Sequence, residues 1–547
     1  MSDVALTHFQ RAAADIGAHG DNDTLPFDID TRFISENGEK LAELAFDFYE
    51  QLQRNDVANS KRRLGELQVF NERLLVPSGP AGFRVSTKIQ PFWNLYFNGL
   101  GVAIADAFED QRDDCAHSYR FLKGGGAELF DRDASWRAFR ETTTEQVNAT
   151  GPDSVIVQTD ISGFYEHISH HHIENCVNDL FPANGRVAAQ VIALLSKFAP
   201  GRSFGLPVGG QCSRIVAELL LNHVDRRMTA AGISWHRYVD DYVLIAGSNA
   251  DAYKALSTLA HTLADYGLTL NRTKTVFLSA KHYIDYVGTQ LGLNDTEAGR
   301  LREIDLHFDP YSDTPVADYE SLKQMVDALN VEKLLDRELE KALPDTFLVT
   351  QIGRTLRLHA PTVAIQLART LLSPRNLHAF RASWSTIMRG VANLRATDEF
   401  VEIFADVDEL IDRIPNHSLH LLQTEASLLH YLRTLRFHTS PARRAFVYRA
   451  YSNTSSNTIK RACIDCWRHW KDRDGFTQVR NHWDQLSMEC QRLLWLASYG
   501  MGDQGHAFRR QVRPSIGRGW QLGIEHQNTD SYGSIYEKWC NGLQDSV

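Results

Sequence analysis

Residues 237–245 read RYVDDYVLI, an apolar and aromatic run interrupted at its centre by two adjacent aspartates. Tyr238, Val239, Tyr242, Val243, Leu244 and Ile245 favour a pleated, half-buried surface, so the run predicts strand, tight turn, strand, with Asp240-Asp241 as the turn. Such hairpins usually turn on Asn-Gly or Asp-Gly, which reach positive φ at little cost. Two like charges on adjacent residues repel each other and resist burial. A chain that carries them there must supply a counter-charge, and this requirement narrows its folds more than any bulk property does.

A second acid extends the pattern. In VIVQTDISGFYEHI, Val155, Ile156 and Val157 make a short inner strand with Asp160 at its C-terminal end, where a ligand crevice opens. A lone aspartate in that place more often caps the helix that follows. If this strand lies beside the hairpin, Asp160, Asp240 and Asp241 converge, and three carboxylates within a few ångströms cannot all ionise without cations. Oxygen ligands point to Mg²⁺, which leaves coordination positions for water and substrate phosphates. Two such ions roughly 4 Å apart activate an attacking hydroxyl and stabilise a leaving pyrophosphate.

Periodicity predicts a mostly helical start to about residue 80 and mixed text from 81 to 150. "PFWNLYFNGLGVAIADAFED" reads there as an amphipathic helix and "HSYRFLKGGG" as a strand entering a glycine loop. Residues 154–300 alternate strands and helices. After about 300 strand-like text ends, and helical segments broken by LPDT, HAPT, SPRN, IPNHS and TSPA suit stacked helix pairs or a bundle. The 547 residues allow two to four domains. No apolar stretch reaches the roughly 18 residues that span a bilayer. The N-terminus lacks a secretory pattern, and seven cysteines do not form a disulfide framework, so a reducing cytoplasm is expected.

The net charge of −10 argues at first against a nucleic-acid partner, but its distribution is uneven. Residues 1–350 carry 33 Lys/Arg against 50 Asp/Glu, and residues 351–547 carry 25 against 18. Basic residues of the second part sit among aromatics, Arg443, Arg444, Arg509, Arg510 and Arg513 among them. They read either as a solvated helical surface or as one that tracks a phosphate backbone and stacks bases.

Together these segments resemble the reverse transcriptases. TDISGFYEHI is similar to the family's motif A, GLPVGGQCSRIVAELLLNHVD to motif B, RYVDDYVLI to motif C, LTLNRTKTVF to motif D and HYIDYVGTQLG to motif E, in the family's order. The resemblance implies an α+β fold with a fingers-palm core and an all-α, HEAT-like C-terminal domain. Its expected boundaries are a helical segment over 1–80, fingers over 81–153, palm over 154–299 and the helical domain over 300–547. It implies Asp160, Asp240 and Asp241 as ligands of two Mg²⁺ or Mn²⁺ ions, with Ile161 beside them, and Lys274 as a proton donor to pyrophosphate.

For the nucleotide, the resemblance implies Tyr165 against the sugar's 2′ position, which argues for deoxynucleotides, with Phe164 as its neighbour. Pro207, Gly209 and Gly210 would allow close backbone approach. Arg120, Arg84 and Lys88 would meet the triphosphate. Many family members carry glutamine where this chain has Val208, which removes the usual side-chain contact there.

SYRF and SRIVAELLLNHVD are similar to the bacterial abortive-infection and unknown-group enzymes, which implies antiphage defence and homo-oligomers. Deoxynucleoside triphosphates and nucleic acid are the implied partners. DNA would be made without a conventional primer, either template-free or on a non-coding RNA, in response to an unidentified phage trigger. Protein priming from a tyrosine would be selected by none of the positions considered, Tyr448, Tyr451, Tyr532 and Tyr536. Cys463, Cys466 and His469 have half the spacing of a zinc site and fit a helix face equally well. His167, His170, His171 and His172 read as a surface or partner-contact turn.

Overall fold

The computed structural model describes residues 3–54, 57–79, 82–124, 126–291, 297–304, 315–341, 344–520, 522–524 and 530–544. Six strands occur among them. Asn71–Ser78 (β1) and Gly82–Ile89 (β2) make a ribbon. Val155–Asp160 (β3), Ser234–Tyr238 (β4), Asp241–Ala246 (β5) and Val276–Ser279 (β6) make a sheet in the order β4-β5-β3-β6, with every neighbour antiparallel.

The chain forms two compact units, the first built from 1–71, 87–291 and 520–541. Its helices before residue 292 are α1 (Leu6–His19), α2 (Asp28–Arg54), α3 (Val57–Glu66), α4 (Pro91–Phe108), α5 (Trp136–Thr150), α6 (Phe164–His167), α7 (His170–Leu180), α8 (Gly185–Phe198), α9 (Gln211–Ala230), α10 (Asn249–Ala264) and α11 (Ala280–Leu291). Alternation along the strands divides the sheet's residues between two helical layers. Ile156, Val243 and Ile245 face α5 and α11, packing on Phe139, Val147, Tyr283 and Val287. The opposite face lies against α9 and α10.

Local signals set the helix ends. Ser135 accepts from the Ala138 N–H to cap α5, and Ser248 does the same for α10 through Asp251. Helix α4 departs from expectation. It is buried almost all round, packed by α1, α2 and α9, so it is a central helix and not an amphipathic one. The histidine cluster also departs, since His170, His171 and His172 open α7 instead of forming a turn, and the His170 ring bonds the Gly205 carbonyl. Residues 520–541 return to this unit, where Tyr532, Tyr536 and Trp539 surround Phe33 of α2 at ring distances of 5.6, 5.1 and 5.1 Å.

The second unit comprises 72–86, 292–519 and 542–547. Past residue 292 its described elements are all helical. Thr346–Thr355, Trp384–Ala396, Glu425–Leu435, Asn457–Trp470 and Met488–Ser498 pack successively on one another, a row of stacked helices like one layer of a helical-repeat protein. Cys463, Cys466 and Cys490 are buried within this row. Among the described residues no group of three His, Cys, Asp or Glu side chains could hold a metal there. No described helix is long and apolar enough to cross a membrane.

Candidate active site

Strand register brings the first two acids together. Asp160 ends β3 directly opposite Asp241, the first residue of β5, so both side chains project from the same sheet face. Asp240 stands in the turn before β5. Tyr238 pairs with Asp241, which makes Val239-Asp240 the turn and corrects the expected Asp240-Asp241 by one residue. The shift has a physical cause: Val239 adopts φ +57°, which a β-branched residue avoids unless its surroundings impose it. Backbone bonds fix the acids' spacing. The Ile161 N–H donates to the Asp240 carbonyl (3.1 Å) and the Asn271 N–H to the Asp160 carbonyl (2.7 Å). Ile161 itself is buried.

Electrostatics at the site favour uptake of cations. Burial, then the charges of Asp241 and Asp160, push the Asp240 carboxyl up to about 7. Burial and Asp160 also raise Asp241, against the opposing pull of Arg140 and Lys274. Lys274 donates to the Asp160 carboxylate, and that hydrogen bond raises its own pKa. The donors are all carboxylate oxygens at adjoining strand ends, where Lys274 bonds Asp160, and burial with the mutual repulsion of the acids holds the Asp240 carboxyl up. That chemistry fits Mg²⁺ or Mn²⁺, which Asp160, Asp240 and Asp241 would hold. Among the described residues no group of three or more His, Cys, Asp or Glu side chains is placed to hold a metal ion, and Asp160 is engaged by Lys274.

Beside the acids stands a wall of tyrosines. Tyr165, in α6 behind Gly163 at φ +54°, hydrogen-bonds Tyr119, whose ring lies 5.3 Å from the Arg214 guanidinium. Burial, then the neighbouring Tyr119, raises the Tyr165 phenol, and Asp240 adds to the effect. Phe164 is buried in the core against Tyr165. The Tyr165 carbonyl accepts from Leu206, tying α6 to the loop before α9. In that loop the Pro207 carbonyl accepts from Ser213, and the close approaches at Gly209 and Gly210 come from Asn22 and Asn98. These glycines are packed by the protein itself in this state.

Several cations expected at the triphosphate are committed elsewhere. Lys88 is buried between Asp21 and Asp30 (3.2 Å to Asp30), so it neutralises two internal carboxylates and does not stand open to a nucleotide. Arg120 donates to Glu109 at 2.6 Å and to the Asp113 carbonyl at 2.8 Å. Its segment, read as a strand, is irregular with an isolated bridge from Phe121 to Phe130, and Tyr119 has φ +49°. Arg84 is exposed on β2, bonded to Ser78.

In the second unit Arg443 is buried, paired with Asp408 at 2.9 Å and Asp412 at 2.6 Å, which removes it from any surface. Arg509 lies 3.8 Å above the Tyr499 ring. Arg444, Arg510 and Arg513 are exposed.

Sequence reasoning passed over Ser118, Tyr119, Arg140, Arg214, Glu218 and Arg237. Arg214, Glu218 and Arg237 lie within the motif segments and Ser118 and Tyr119 within SYRF, whereas Arg140, in α5, carries no local signal.

Residues 97–291 match the reverse transcriptase (RNA-dependent DNA polymerase) family. The matched stretch runs from within α4 to the end of α11 and contains all three aspartates, Tyr165, the glycine loop and Lys274. No curated protein matches the chain. Similar solved structures include telomerase from Candida albicans in complex with a TWJ fragment of telomeric RNA. It is 11% identical, with 63% of this chain and 67% of that one covered and a TM-score of 0.31. Apo telomerase from Candida tropicalis is 12% identical over 71% and 74% of the two chains, with a TM-score of 0.31. Its C-terminally truncated form is 13% identical over 42% and 55%, with a TM-score of 0.28. Superpositions this loose carry no argument about the present chain.

Proposed function

We propose that the reverse transcriptase domain joins deoxynucleotides, using Asp160, Asp240 and Asp241 to hold two divalent cations. The observation that carries the reading is the pairing of Asp160 with Asp241 across β3 and β5, with Asp240 in the adjoining turn. Bound in pairs, Mg²⁺ supplies activation of the attacking 3′-hydroxyl and charge compensation for the departing pyrophosphate. Lys274, already hydrogen-bonded at Asp160 and largely exposed, protonates the leaving pyrophosphate. Tyr165, held by Tyr119, fills the space a 2′-hydroxyl would need and so selects the deoxy sugar.

The resemblance of the SYRF and SRIVAELLLNHVD segments to abortive-infection enzymes extends the proposal to antiphage defence. The stacked helices of the second unit are in keeping with that class.

The test is incubation of purified protein with Mg²⁺ and each labelled deoxy- or ribonucleotide singly, beside Asp240→Ala. Deoxynucleotide incorporation that the variant lacks is the expected result. Preference for ribonucleotides refutes the sugar selection. No incorporation, with phage protection retained by the variant, refutes the polymerase reading. Protease treatment of any product reports whether it is attached to the chain.

A further inference from the structure

Two of the three non-glycine residues with positive φ among the described residues are Tyr119 and Val239. One belongs to the tyrosine wall and the other precedes Asp240, and a single buried ionic cluster holds both. Arg237, fully buried on β4, donates to Asp225 at 2.7 Å, to Glu218 at 2.9 and 3.0 Å, and to the Val239 carbonyl at 2.9 Å. The Val239 N–H donates to the Ser118 hydroxyl (2.9 Å), which in turn donates to Glu218 (2.7 Å). Both polar groups of the left-handed valine are therefore taken by the cluster.

The same arrangement recurs at Tyr119. Arg112 donates to Glu218 at 2.7 Å and spans the two carbonyls of Ser118 (2.6 Å) and Tyr119 (2.8 Å). Glu218 stands at the middle, on the helix that also carries Arg214, and receives Arg112, Arg237 and Ser118. Arg112 also meets Glu109 at 3.3 Å, which Arg120 shares, so three guanidinium groups face the three carboxylates Glu109, Glu218 and Asp225. Apolar residues of the same shape often stabilise a fold as well as such a cluster, whereas removing one partner alone is strongly destabilising.

We propose that Ser118, Glu218, Arg112 and Arg237 are positioning residues that impose the left-handed backbone at Val239 and Tyr119. They thereby set the Asp240 carboxylate and the Tyr165 wall relative to each other. The inference rests on the metal role proposed above for Asp240. Without the cluster, Val239 relaxes to negative φ and the turn carries Asp240 away from Asp160 and Asp241. Glycine reaches the same backbone region unaided.

The experiment reads metal binding directly, by Mn²⁺ titration in electron paramagnetic resonance without nucleotide, together with thermal melting. Ser118→Ala is the primary variant because it leaves no buried charge unpaired. Ser118→Cys, of similar shape but a weak hydrogen-bond partner, is the second should the first melt early. The expected result is Mn²⁺ affinity lowered about tenfold, the effect usual for residues that orient metal ligands. Adding Val239→Gly to Ser118→Ala restores most of it. Affinity unchanged in the folded variants overturns the proposal, as does a loss that Val239→Gly fails to repair or a wild-type protein that binds no Mn²⁺. A wild-type protein that binds Mn²⁺ but incorporates no nucleotide defeats the polymerase reading alone, and the rescue comparison still decides the positioning role.

Discussion

The ammonium of Lys274 rests on the carboxylate of Asp160, the residue that faces Asp241 across the strand pair. On the proposed reading the lysine would compete with a divalent cation for that oxygen and would also deliver the proton. Lys274→Ala separates the two roles. The pair is exposed on the lysine side and is worth no more than about 1 kcal/mol, so metal affinity should rise by up to about fivefold. Turnover should fall by about a hundredfold or more if the lysine is the proton donor. Mn²⁺ titration and single-nucleotide incorporation measure the two effects, and weaker metal binding in the variant would show that Lys274 supports the ligands and does not compete.

Asp240 makes metal binding depend on pH. Its carboxyl titrates at about 7 in the folded protein, above the ordinary aspartate value near 3.8 in an unfolded chain. Between these values the folded state holds the extra proton, so metal-free stability falls as pH rises through about 4 to 7 and stays lower above. A cation needs the deprotonated form. The rise in melting temperature on adding Mg²⁺ should therefore grow as pH passes about 7, and Asp240→Asn should flatten both trends. A Mg²⁺ effect that shrinks over the same range would contradict the assignment.

The acids were legible from sequence because buried like charges are a conflict that local rules cannot resolve. The strands around them followed from β-branched and aromatic runs. The turn falls one residue earlier than expected because Val239 takes a conformation held by Ser118, 121 residues away in the chain, and by the nearby Arg237, itself fixed by Glu218 and Asp225. Lys88 was read as a nucleotide contact because its partner Asp21 lies 67 residues away in the chain. Arg443 was read as surface for a similar reason: Asp408 and Asp412 reach it from another helix. Helix α4 reads as amphipathic in the sequence, yet its composition is apolar almost throughout. Its burial on all sides depends on how many neighbours it acquires, which periodicity does not report.

Tyr165 gives a prediction on sugar choice. Its ring is held in place by the hydrogen bond to Tyr119 and by packing on Phe164 at 5.2 Å between ring centres. Tyr165→Ala opens the space at the 2′ position without removing a metal ligand. Incorporation of ribonucleotides relative to deoxynucleotides should rise by about 10- to 200-fold, the range that one steric contact supplies. Competition between the two labelled substrates measures the ratio, and an unchanged ratio places the sugar elsewhere.

Lys88 yields the opposite kind of result. Its side chain and those of Asp21 and Asp30 are all nearly excluded from solvent, and burial already raises the Asp21 carboxyl while Lys88 opposes that rise. Lys88→Met leaves two buried carboxylates without their cation, a change that costs about 3–5 kcal/mol near neutral pH. As pH falls the carboxyls take up protons and the unpaired charge disappears, so the deficit against wild type should shrink on acidification. Adding Asp21→Asn and Asp30→Asn removes the charges that needed Lys88 and should recover much of the loss. Denaturant unfolding measures each step. A stable Lys88→Met protein with a raised KM for deoxynucleotides would instead return this lysine to the triphosphate.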